Sequence, residues 1–352
     1  LFGFAVATGL ISLPLHAGEK AAVGSRSGGG ATEAIYLVDL ATGVASGWEV
    51  RAGGSRLDAI TVQQNLFEAI GRPVGTPAPR GSVFLFSINE NGGSTEALAI
   101  LEADSGYVGF LNRVGKDRKI GALLGAVGRP ALGAAAADGL HAVIPAMASN
   151  GSSRGFYLVH GATGACVFLS GFDPERGNAD GSGCSAMPVS GGGWAGVPLR
   201  SEVPSFVLMD ATTGATFVVR AGGAPTELIA SQINLDLAGS LGASDPANPT
   251  RRFSAAEVWT AGGSSMVVAD AQTGRLVLVT GVDTPTVRVT PITGTFDRST
   301  GVGDARALLV PVYSGEASTA GVLVFDATGT PQLLVSELDS GSPRVQNVEI
   351  RR

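Results

Sequence analysis

The sequence predicts an all-β chain, a six-bladed β-propeller with four-stranded blades. Three observations carry this: a six-fold repeat, a composition suited to short strands and turns, and no convincing long amphipathic helix. In the repeat, four apolar residues run into an acidic or imidazole side chain. The copies read Ile-Tyr-Leu-Val-Asp39, Leu-Ala-Ile-Leu-Glu102, Phe-Tyr-Leu-Val-His160, Phe-Val-Leu-Met-Asp210, Met-Val-Val-Ala-Asp270 and Val-Leu-Val-Phe-Asp326. Each ends in a turn closed by Gly43, Gly106, Gly164, Gly214, Gly274 or Gly329, so the copies recur every 50 to 63 residues. That spacing exceeds the need of a four-stranded WD-type blade, and the surplus goes into loops.

Composition agrees. Gly occupies 52 of 352 positions, while charged residues make up 15% and aromatic residues 6%. This balance suits tightly packed strands joined by turns. The net charge of −6 is dispersed, and no run of Lys and Arg is longer than a pair such as Arg251-Arg252 or Arg351-Arg352, so nucleic acid is not an expected partner.

Within one repeat four strand-like segments can be placed, clearest at 286–290, 307–313, 321–326 and 331–337. The marker is taken as the third. Four consecutive apolar residues imply burial on both faces, as blade-on-blade packing requires. The acid then forms an Asx-turn and Gly supplies a positive φ. Glu102 and His160 are poorer acceptors, so their turns are expected to be less regular. Asp39, Asp210, Asp270 and Asp326 recur with the repeat and are read as turn formers, not catalysts. Pro14, Pro145, Pro198 and Pro311 fall in the second segment, with Ser87 and Trp259 near that place in the other copies; a bulge or strand end is expected there.

With this frame the whole chain, 1–352, is one domain. Its blades are 1–53 plus 343–352, 54–115, 116–172, 173–222, 223–282 and 283–342. The C-terminal segment pairs into the N-terminal blade and closes the ring, so deleting 343–352 should destabilise the whole domain. Residues 13–19 match 310–316 in chemical type, which favours a strand of the first repeat over a leader for the uncharged stretch 1–18. The chain begins without Met, which fits a processed or truncated product, and an extracytoplasmic location, periplasmic or secreted, is expected.

The six marker copies resemble the repeat of YVTN-type and quinoprotein-like β-propellers, whose blades carry a hydrophobic run, Asp, a Thr-containing turn and Gly. The resemblance implies architecture and leaves activity open. The repeated Trp motif of large quinoprotein dehydrogenases is missing: the Trp residues are Trp48, Trp194 and Trp259.

Catalytic signatures are sparse. His16, His141 and His160 form no spaced metal pair, and no Gly-x-Ser-x-Gly elbow stands between strand and helix. The acidic loop 173–183 lacks EF-hand spacing. Cys166 and Cys184 flank this loop and would be either a staple or two separate thiols, according to compartment. The polar set of most interest lies on the candidate inner strands: Gln63, Gln64 and Asn65; Gln232, Asn234 and Asp236; Gln346, Asn347 and Glu349. Calcium-dependent lactonases and related six-bladed hydrolases hold their metal in such a place. Asn65, Asn234, Asp236 and Asn347 are therefore the candidate Ca2+ ligands of an alternative, hydrolase reading. The favoured expectation is a non-catalytic platform with no cofactor. Its partners would be other protein subunits, with peripheral association to a membrane complex.

Overall fold

The computed structural model describes residues 20–62, 65–69, 83–89, 95–102, 107–112, 123–126, 141–173, 178–189, 193–242, 253–260, 262–297, 307–315, 318–326, 328–340 and 342–352. Strands follow one another as antiparallel hairpins. The first sheet takes β1 (Lys20–Arg26), β2 (Thr32–Asp39), β3 (Ala45–Arg51) and β4 (Arg56–Ile60) in that order. The second takes β5 (Val83–Asn89), β6 (Thr95–Glu102), β7 (Tyr107–Asn112) and β8 (Leu123–Ala126). In the third are β9 (His141–Met147), β10 (Ser153–His160), β11 (Cys166–Asp173) and β12 (Asn178–Gly183), and in the fourth β13 (Trp194–Leu199), β14 (Ser205–Asp210), β15 (Thr216–Ala221) and β16 (Leu228–Ile233). The fifth holds β17 (Phe253–Thr260), β18 (Gly263–Asp270), β19 (Arg275–Thr280) and β20 (Arg288–Ile292), and the sixth β21 (Leu308–Gly315), β22 (Ser318–Phe325), β23 (Pro331–Ser336) and β24 (Arg344–Asn347). Finally β25 (Glu349–Arg351) runs back to β4 and pairs with it in parallel.

The chain is thus an all-β propeller, but the expected six uniform blades are corrected. Five blades are four-stranded, and the sheet carrying both ends of the described chain has five strands. The strand frame also moves by one. Each marker is the second strand of its sheet, and segments read as first strands, such as 57–66, 227–235 and 286–290, coincide with the fourth strands β4, β16 and β20. The segment 343–352 accordingly divides: β24 completes the sixth sheet, and only β25 joins the first, on its outer edge. The chain enters each sheet at one edge and leaves at the other, so the last strand arrives at the rim. Residues 13–19 lie outside the described residues; the strand paired with the first marker is β1.

The marker strands are buried on both faces, and alternation decides where each side chain goes. Phe206 and Leu208 of β14 pack with Ile144, Tyr157 and Phe168 of the third sheet, whereas Val207 and Met209 pack with Met266 and Val268 of the fifth. Apolar clusters of this kind join every neighbouring pair of sheets, and one of them unites Ile35 and Leu57 of the first sheet with Val310, Leu323 and Phe325 of the sixth. A fully buried side chain such as Phe325 contributes about 1.5–3 kcal/mol. The last interface is therefore built like the others.

Turn chemistry follows the expectation at Asp210, whose Oδ1 accepts the N–H groups of Thr212 and Thr213 at 2.8 and 2.7 Å. Asp39, Asp270 and Asp326 act likewise. His160 corrects the expectation of irregularity: Thr163 N–H donates to its Nδ1 at 3.1 Å, and Gly164 N–H reaches the His160 carbonyl at 2.8 Å, as Gly214 N–H reaches that of Asp210. A neutral ring with its proton on Nε2 offers one acceptor where the turn needs it. The turn after Glu102 lies outside the described residues.

A candidate axial site

The first strand of each sheet is the inner edge. Contacts run from β1 to β5, β9, β13, β17, β21 and back to β1, so these strands surround the axis. Sequence explains why they tolerate proline. Pro145, Pro198 and Pro311 occupy one structural position, paired with Phe156, Phe206 and Val322 four residues before the marker His or Asp. A strand edge facing the axis needs no donor there. The expected bulge or strand end is an edge at the prolines themselves, and the register shifts just beyond Pro145 and Pro311 but not beyond Pro198. In the other sheets this position is Gly24, Ser87 and Glu257, so Trp259 is not the equivalent residue.

Two residues further on stand Arg26, Asn89, Met147, Arg200, Trp259 and Tyr313, where the copies keep no one residue type. Met147, Trp259 and Tyr313, from the third, fifth and sixth sheets, form one buried cluster. Sheets that are not neighbours meet in this way only at the axis. The Trp259 and Tyr313 rings lie 5.0 Å apart, the Arg200 guanidinium carbon sits 3.6 Å from the Trp259 ring centre, and that of Arg26 lies 4.0 Å from the Tyr313 ring and 5.6 Å from Trp259. These are cation–π distances. Arg26 is only 5% exposed and its Nε donates to the Gly30 carbonyl at 3.0 Å. Among the described residues, neither Arg26 Nη2 nor Trp259 Nε1 has an acceptor.

Glu257 completes the group. The Tyr313 hydroxyl donates to its Oε1. Burial pushes the Glu257 carboxyl above the usual carboxylate range, against the opposing pull of the Tyr313 hydrogen bond, its own backbone N–H, Arg26 and Arg200. Burial also raises the Tyr313 phenol and lowers the Arg26 guanidinium. The arrangement is a positively charged, aromatic-walled group in which the Glu257 carboxyl resists ionisation. Chemically it can hold an acceptor.

Hydroxyl groups frame this end of the ring. Backbone N–H groups of Arg26, Asn89, Trp259 and Tyr313 donate to Thr95, Ser153, Thr319 and Thr32 at 2.9, 3.1, 2.8 and 2.9 Å. Each bond links one sheet to the next, and the last links the sixth to the first.

The residues expected to bind calcium do not meet. Asn65 Oδ1 accepts Phe67 N–H at 2.8 Å and caps the short helix α1 (Leu66–Ala69), while its Nδ2 donates to the Thr42 carbonyl. Asp236 Oδ1 accepts Gly239 N–H at 2.8 Å and caps α2 (Leu237–Leu241). Asn234 is exposed just beyond β16, and Asn347 is exposed on β24. These positions belong to outer strands and connections because the inner strands were misplaced by one; Gln232 and Gln346 sit on the same outer strands, Glu349 is exposed on β25, and Gln63 and Gln64 lie outside the described residues. No group of three or more potential metal-ligating His, Cys, Asp or Glu side chains occurs among the described residues. His141 is on β9 and His160 ends β10, whereas His16 lies outside the described residues. Cys166 and Cys184 are neighbouring free thiols, with Cys184 N–H donating to the Cys166 carbonyl at 2.9 Å.

No family model matches the chain, and no curated protein matches it. Among solved structures it is similar to a protein from Lactobacillus plantarum, at 14% identity over 94% of this chain and 85% of that one, with a TM-score of 0.48. It is also similar to a luciferin-regenerating enzyme, at 10% identity over 95% and 97% with a TM-score of 0.47, and to the Dos1 propeller, at 10% over 94% and 84% with a TM-score of 0.44. Likenesses this distant decide nothing about activity.

Proposed function

We propose that this chain is a non-catalytic propeller that serves as a rigid platform for another protein. The observation that carries the reading is the outer edge of the fourth sheet. Sheets ordinarily protect an exposed edge with charge, Pro or a break in the strand. Among the outer edge strands, β20 carries Arg288 and Pro291, β24 carries Arg344, β12 carries Asp180 with two glycines, β25 carries Glu349 and Arg351, and β8 is a four-residue strand with Gly125 and a broken register. Strand β16, Leu-Ile-Ala-Ser-Gln-Ile233, has none of these, and Ile229 on it is 62% exposed. An extended segment of a partner can add to such an edge through main-chain hydrogen bonds, with Ile229 giving side-chain specificity.

Gentle extraction from the native source followed by size-exclusion chromatography tests this. The wild-type chain is expected in a complex, and a chain with I229K and S231K is expected to elute alone. Co-elution of both as lone monomers would contradict the reading.

A further inference from the structure

Arg26 and Trp259 present a problem the fold alone does not solve. Buried donors are nearly always paired, and an orphan points to an acceptor, water or ion that completes the site. Here two orphans occur together: Nη2 of a guanidinium 5% exposed and Nε1 of an indole 3% exposed, the guanidinium carbon lying 5.6 Å from the indole ring centre. A second guanidinium, Arg200, stacks on the same indole. Glu257 acts on this charge, yet its Oε1 is taken by the Tyr313 hydroxyl. The chain thus brings two cations to its axis, together with the unfilled donors Arg26 Nη2 and Trp259 Nε1.

We propose that the axial group binds one small organic carboxylate, with Arg26 Nη2 and Trp259 Nε1 donating to its oxygens. The class follows from the walls. Met147, Tyr313 and the Trp259 ring offer apolar and aromatic surface to a short hydrocarbon body, and two N–H donors match the two oxygens of one carboxylate. A phosphate or sulfate has no hydrocarbon body to set against this apolar surface. The site is independent of the β16 edge, so either reading can fail while the other stands.

Glu257 gives the site a pH dependence of definite sign. It is faced by Tyr313 from the sixth sheet, Arg26 from the first and Arg200 from the fourth. While protonated it leaves the Arg26 guanidinium to the ligand. Once ionised it competes for that guanidinium, so affinity falls as pH rises through its raised pKa.

Calorimetric titration of the full chain with acetate, butyrate and sulfate at constant ionic strength tests the site. A short peptide with a free C-terminus and its amide separate a free acid from a chain terminus as the source of the carboxylate. Saturable binding of acetate or butyrate, or of the free-ended peptide but not its amide, is expected, and W259F and R26Q should each weaken it about tenfold or more. R26Q keeps the backbone bond to Thr95, and W259F keeps the ring. Should either variant fail to fold, the loss of wild-type affinity with rising pH is the deciding readout. No saturable carboxylate binding, sulfate binding of equal strength, or unchanged affinity in both folded variants would overturn the proposal.

Discussion

At Gly164 two demands meet in one residue. Its φ is 69°, a region that side-chain-bearing residues occupy at a cost, and a Cβ there would stand 2.1 Å from the Met187 carbonyl oxygen. Gly164→Ala is therefore expected to cost at least about 1–3 kcal/mol in denaturant unfolding, with Gly28→Ala, which meets nothing within 4 Å, changing stability by less than about 0.5 kcal/mol. Glu257 makes a prediction of a different kind. Its folded pKa is raised, so the folded chain holds that proton more tightly than the unfolded chain between the ordinary carboxylate range and the raised value. Stability should then fall with rising pH across this window. Glu257→Gln keeps an acceptor for Tyr313 and cannot ionise, so urea melts at several pH values should show that decline flattened. The paired thiols offer a third check. Oxidised glutathione is expected to join Cys166 and Cys184, removing two hydrogens from the chain and releasing two equivalents of reduced glutathione, as intact mass will show.

Strands and their links were partly legible in the chain. The marker identified a doubly buried strand and its turn, because four apolar residues before an Asx-turn have few other uses. Its rank within the sheet was not legible, since the four strands of each sheet follow one another as hairpins and the pattern looks alike whichever strand begins the sheet. The signal that could have settled it was proline: Pro145, Pro198 and Pro311 mark an edge, and an edge strand directly before the marker makes the marker second. That single shift moved the amides from axis to rim and left Arg26, Arg200 and Trp259 unnoticed. Asn65 and Asp236, each directly before an apolar residue, carried the signature of a helix cap. The inter-sheet hydroxyls were also present in four copies, as Thr32, Thr95, Ser153 and Thr319, each seven residues before the last residue of its marker. Thr319→Val should leave the buried Trp259 N–H without its acceptor and cost about 1–3 kcal/mol, whereas Thr319→Ser should be close to neutral; thermal unfolding of the pair measures the difference.

For the whole molecule, the decisive feature is that the sixth sheet meets the first as any sheet meets its neighbour. Ile35 and Phe325 share a core, β25 adds to β4, and Tyr313 N–H donates to Thr32 across 281 residues of sequence. A ring joined in this way has no weak seam, and the axial group depends on it, because Arg26 and Tyr313 face one another across that junction. Amide hydrogen exchange reads the junction directly. The Tyr313 amide is expected to show protection of the same order as the Trp259 amide, which makes the equivalent bond between the fifth and sixth sheets. Rapid exchange at Tyr313 with Trp259 still protected would contradict the closed ring.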